Sequence, residues 1–130
     1  MAGSFTDYLE DKILKHVFTN TSYTSPTTVY VGLFTVAPSD TGGGTEVSGG
    51  SYARKSASFT VSGTGTLATN SAAVEFDTAT GSWGTVVAMA IFDASTAGNM
   101  LAWADLTTSK SISSGDVLRI PAGDLDITLS

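Results

Sequence analysis

From Thr28 to Ser56 the chain reads TVYVGLFTVAPSDTGGGTEVSGGSYARKS, and this stretch restricts the fold more than any other. Val29, Tyr30, Val31, Gly32, Leu33 and Phe34 make an apolar run rich in β-branched and aromatic side chains, which suit a half-buried pleated surface. The run breaks at Pro38, crosses a glycine-rich loop holding Asp40, Thr45 and Glu46, and resumes at Tyr52. Beyond Tyr52 the residues alternate. Ala53, Lys55, Ala57, Phe59 and Val61 fall on one side, and Tyr52, Arg54, Ser56, Ser58 and Thr60 on the other. The pattern predicts two strands joined by a long loop of small residues.

Ahead of this pair, Ser4 to Phe18 reads as the one helix. Ser4 is placed to cap it, and Asp7 three residues on completes a capping-box-like pattern at the positive end of the dipole. Phe5, Leu9, Ile13 and Val17 recur every four residues, with Leu14 and Phe18 widening the apolar face. That face suits either the domain's own sheet or a neighbouring subunit. After the pair come short apolar segments separated by turn signals: 67–70, 72–76, 86–92, 100–106, 117–120 and 125–129. Val86 to Phe92 is almost wholly apolar, as a central strand buried on both faces would be. The expected fold is mainly β: an antiparallel β-sandwich or jelly-roll-like domain over 23–130, preceded by an N-terminal helix and connector over 1–22.

Composition supports this class and narrows function. With 17 serines and 20 threonines the polar content favours strands and turns over helix interiors. Six basic against twelve acidic residues, a net charge of −6, argue against nucleic acid as a direct partner, because phosphate binding needs clustered lysine and arginine. An anionic membrane surface is disfavoured for the same reason, and no apolar window approaches the length of a membrane span. No cysteine is present, so disulfides and thiolate chemistry are excluded. The N-terminus has neither a basic nor an apolar signal region, which points to synthesis and folding in a cytoplasm.

Candidate chemistry is sparse. His16 is the single histidine and sits on the helix near Lys12 and Lys15; one histidine without cysteine cannot build a zinc site. No G-x-S-x-G elbow accompanies it. Asp124 and Asp126 share a strand face, where two charges discourage edge-to-edge pairing more readily than they bind calcium. The loop from Asp40 to Glu46 lacks the Lys-Ser/Thr of a phosphate cradle and carries two acids. It reads better as a flexible, projecting loop that adapts to a partner. Trp83 and Trp103 suit core or inter-subunit packing. No catalytic group, cofactor or metal is expected, and the chain does not read as an enzyme.

Two segments together carry a family resemblance: YVGLFTVAPSDTGGGTEVSGGSYARKS at 30–56 and AIFDASTAGNMLAWADLTTSKSISSGDVLRIPAGDLDITLS at 90–130. In this order, behind a short acidic helix, they resemble small virion structural proteins of tailed bacteriophages, the tail-fibre-like and head-decoration (cement) proteins. The resemblance implies a non-enzymatic virion component made in a bacterial cytoplasm. A fibre shaft needs repeats or a coiled coil, whereas this chain offers one compact domain. Avidity over many copies suits a cement protein, and an acidic chain suits the outside of a DNA-filled shell. The expectation is therefore a homotrimeric sandwich on the capsid surface with the major capsid protein as partner, or alternatively a tail, baseplate or fibre part contacting tail proteins. The expected contacts are the helix residues Phe5, Leu9, Ile13 and Val17, and Asp40, Thr45, Glu46, Tyr52 and Arg54 in and after the loop.

Overall fold

A computed structural model describes residues 2–63 and 65–128. Strand β2 (Val29–Val36) pairs antiparallel with β8 (Gly84–Phe92), and β8 with β9 (Met100–Ile112). The far edge of β9 takes β1 (Ala2–Phe5), and beyond it lie β11 (Asp126–Thr128), β6 (Leu67–Asn70) and β5 (Phe59–Val61). All these pairings are antiparallel except β1 with β11. The free edge of β2 is shared between β3 (Thr45–Glu46) and β4 (Lys55–Ala57), and a separate pair joins β7 (Val74–Glu75) to β10 (Arg119–Ile120). With helix α1 (Asp7–Phe18) this is the mainly β, antiparallel fold with one N-terminal helix that the sequence predicts.

Two apolar clusters form on the two sides of the β2–β8–β9 sheet. Val31, Leu33, Met89, Ile91 and Leu101 pack into the main core with Val74, Phe76, Trp83, Leu118, Ile120 and Leu125. Phe34, Ala88, Ala90 and Phe92 form a smaller cluster. Side chains alternate between the two clusters along β2 and along most of β8. The alternation flips at Val87, where the register shifts between Val86 and Ala88, so Val86 joins the main core although Ala88 does not. β8 is buried on both faces, as its composition requires.

Three local expectations are corrected. Ser4 does not cap the helix, because residues up to Phe5 are taken up in β1. Thr6 caps it instead: its backbone N–H donates to Leu101 O (3.0 Å), its buried Oγ1 accepts the Leu9 N–H (3.4 Å) and donates to Met100 O (2.7 Å). The segment after Tyr52 is not one strand, since it changes neighbours at Ser58. β4 pairs with β2, β5 pairs with β6, and Ser58 O accepts the Ser71 N–H (2.9 Å) at the corner. Finally, Asp126 does not guard an edge. β11 lies between β1 and β6, while Asp124 precedes it in a turn. The terminal Leu129, expected to continue this strand, falls outside the described residues.

Candidate docking surface

The loop from Pro38 to Ser51 returns to β2 at Glu46, and the chain then turns so that Tyr52 and Arg54 come over the same strand. The free edge of β2 has a gap at Leu33, between the β4 and β3 ladders. Side chain and loop fill it: the Leu33 N–H donates to Tyr52 Oη (2.9 Å), and Leu33 O accepts the Val47 N–H (2.9 Å). Tyr52 in turn donates its hydroxyl to Glu46 Oε2 (2.6 Å). Arg54 grips the same carboxylate bidentately, Nε to Oε2 (2.8 Å) and Nη2 to Oε1 (2.9 Å). Its remaining Nη1 donates to Ala94 O (3.0 Å) and Ala97 O (2.8 Å), which ties down the 93–99 turn.

The Arg54 guanidinium also lies 3.5 Å over the centre of the Phe92 ring, and Phe92 stacks on Phe34. Gly32 permits the crossing. A Cβ there would stand 2.8 Å from Glu46 Oε2 and 3.0 Å from Phe92. Burial alone would raise the Glu46 carboxyl, but hydrogen bonds from Arg54 and Tyr52 and the charge of Arg54 bring it below its ordinary value. Burial first, and then the bond to Glu46, push the Tyr52 hydroxyl up. The Tyr52 ring completes the knot by packing edge-on against the buried Trp83, whose Nε1 donates to Gly50 O (2.9 Å).

The glycine loop does not project freely. Asp40 folds it onto the start of the helix: its backbone oxygen accepts the Asp7 N–H (2.9 Å), and its Oδ1 accepts Trp103 Nε1–H (2.9 Å). Ser39 and Gly42 close the loop with reciprocal backbone bonds of 2.9 Å. Between this loop, the first turn of α1 and the 98–100 segment runs a groove of about 620 Å³. Tyr8, Phe34, Phe92 and Met100 supply its apolar lining, and the exposed Asp7 and Asp40 are its acidic residues beside the paired Glu46.

The expected contact residues thus separate into three places. Glu46, Tyr52 and Arg54 meet in the knot, with Asp40 across the groove and Thr45 exposed beside them on β3. Phe5 and Leu9 pack against the main core. Ile13 is half-buried and Val17 is 61% exposed, on a helix end that also exposes Leu14 (57%) and Phe18 (77%). Phe34, Phe92 and Gly32 were not singled out from sequence. Their apolar run points to a strand, and their role depends on a side chain arriving from a distant segment. His16 is exposed and accepts the Tyr23 N–H at Nδ1 (3.3 Å). Among the described residues no three acidic or histidine side chains cluster to hold a metal ion, and no helix is long and apolar enough to cross a membrane.

A family model described as podophage GP4 fiber I protein gp80 matches residues 4–128. No curated protein matches the chain.

Proposed function

The chain belongs to the family of podophage GP4 fiber I protein gp80, a family of phage structural proteins, and on that footing we propose that it is a non-enzymatic fibre subunit on the virion. The match across nearly the whole chain carries this reading. The fold is compatible with it, because Glu46 and Arg54, although they line the groove, have their polar atoms engaged by one another, by Tyr52 and by the carbonyls of Ala94 and Ala97. Its proposed partners are further copies of itself, forming a homotrimer or another symmetric assembly, and tail proteins at the attachment point.

Capsid decoration is the second reading, with the major capsid protein as partner. The compact body and the acidic surplus on a chain of net charge −6 favour it. The copy number per purified virion, measured by quantitative mass spectrometry against the major capsid protein, separates the two. A few copies up to a few dozen is the result expected of a fibre. A ratio near one would move the protein to the capsid surface, and absence from the particle would refute both placements.

A further inference from the structure

Strand β5 ends the large sheet, and its outer edge has no neighbouring strand among the described residues. Its ladder with β6 fixes which groups face outward. Ser62 N–H donates to Leu67 O (2.7 Å) and Ser71 N–H donates to Ser58 O (2.9 Å). Positions 58 and 62 are therefore hydrogen-bonded ones, and so is Thr60 midway between them. Phe59 and Val61 alternate with these, so their N–H and C=O groups point away from β6. Among the described residues no other part of the fold bonds to them. The side chains repeat the asymmetry: Phe59 is half-buried against the main core, while Val61, next on that face, is 65% exposed.

Open edges are normally guarded by charge, proline or a bulge. The other strands that pair on one side only each carry a charge: Glu46 on β3, Lys55 on β4, Glu75 on β7 and Arg119 on β10. β5 is Phe-Thr-Val, with no register shift, and residues 56–74 around it contain neither charge nor proline. On a chain of net charge −6, two copies repel where their acids face one another and approach most easily where neither bears a charge.

We infer that β5 pairs antiparallel with β5 of a second copy of this chain, about a two-fold axis at Thr60. In that register each outward N–H of Phe59 and Val61 meets an outward C=O of the other copy. Val61 of each copy then covers Phe59 of the other, an aromatic–β-branched cross-strand pair. An unrelated strand would have to reproduce this spacing, whereas a second β5 has it by symmetry. The contact is isologous and joins the sheets of two copies into one. Its short strands make a small interface, which gains strength by repetition in an assembled particle. The inference rests on the fibre-subunit reading for that repeating setting and deepens it by naming where one copy meets another.

The chain has no cysteine, so a single introduced thiol reports cleanly. In the inferred register Thr60→Cys stands opposite itself at a non-hydrogen-bonded position, where Cα atoms lie about 4.5 Å apart, within disulfide range. Val61→Cys is also exposed, but the residue opposite it is Phe59. Mild oxidation of the full chain should give a linked dimer from Thr60→Cys and at least about tenfold less from Val61→Cys. Equal linking of the two would mean chance collision and overturn the register, and no linking of either would overturn the pairing. Thr60→Cys linked in virions to a different protein would give the edge to that protein's strand and overturn self-pairing. Sedimentation adds a second readout. Val61→Lys supplies the missing guard at an exposed site, so it should weaken self-association at least about tenfold with an unchanged unfolding midpoint. Association equal to the parent's would refute the role of β5. Finding the chain in virions while these tests fail would leave the fibre reading standing and remove only the edge pairing.

Discussion

The knot on β2 and the end of α1 make opposite use of their side chains. In the knot, both Glu46 oxygens, the Tyr52 hydroxyl and all three Arg54 nitrogens have internal partners. At the helix end, Leu14, Val17 and Phe18 are apolar and largely in solvent. Ordinary expectation is the reverse, with charged residues at the surface and a helix's apolar stripe inside. The inversion teaches that residue type alone is a poor guide to which surface is available. A charge fully engaged within its own fold has little left for a partner, whereas an uncovered aromatic gains from any partner that removes it from water.

Breaking the knot should give the largest effect. Arg54 is 8% exposed and Glu46 25%. Arg54→Ala would leave a half-buried carboxylate without its cation, two turn carbonyls without a donor and the Phe92 ring without its cover. A loss of about 3 kcal/mol is expected, as for removing one member of a buried pair. Denaturant unfolding compared with Lys55→Ala checks it. Lys55 also has a carboxylate partner, Asp77 at 2.8 Å, but that pair is exposed, so its loss should cost under about 1 kcal/mol. Equal losses would mean that the knot is no more than another surface ion pair. Tyr52→Phe comes next. The ring contacts with Phe76 and Trp83 would remain, but the Leu33 N–H in the gap of the β2 edge would lose its acceptor, for an expected cost of about 1–2 kcal/mol. A neutral result would show that water replaces the hydroxyl.

Much of this was legible in the chain, and the unread parts share a cause. The β-branched run in β2 and the apolar run in β8 identify themselves, because burial on a pleated surface selects those residues directly. The spacing of Tyr52 and Arg54 also places them on one side of the chain, where both reach Glu46. Partners distant in sequence leave no comparable pattern. Thr6 replaces Ser4 as the helix cap because β9 supplies Met100 O and Leu101 O, ninety-odd residues away. Asp126 lies in an interior strand because β1 and β6 arrive on both sides of it. The glycine loop is held by Trp103, which no local rule connects to Asp40. Likewise, the four-residue repeat of α1 reveals an apolar face but not which of its residues the core covers.

Acid should sharpen the contrast by acting on the knot. The Glu46 carboxyl lies below its ordinary value of 4.5 when folded, so the folded state binds its proton less readily than the unfolded chain does. The stability from this group is present above 4.5 and declines as the pH falls from there through the lowered folded value. The acid-induced loss should therefore be smaller in Glu46→Gln than in the parent, measured as unfolding midpoints from pH 6 down to about 3. Parallel curves would show that the knot does not depend on the ionised carboxylate.

The smallest expected effect is the most informative about the helix end. Phe18→Ser exchanges a side chain that is 77% exposed, on a helix with no buried residue, so the isolated domain should change by no more than about 0.5 kcal/mol. The contrast with Leu9→Ser matters more than the value itself. Leu9 is one residue of the same stripe, but it packs on the core, and its replacement should destabilise the fold by about 2 kcal/mol. If the two substitutions cost the same, the end of α1 must be covered within a single chain, and its apolar surface would have no place for a partner. If Leu9 alone matters, the stripe's first half serves folding, and its second half is retained at a position where the fold makes no use of it.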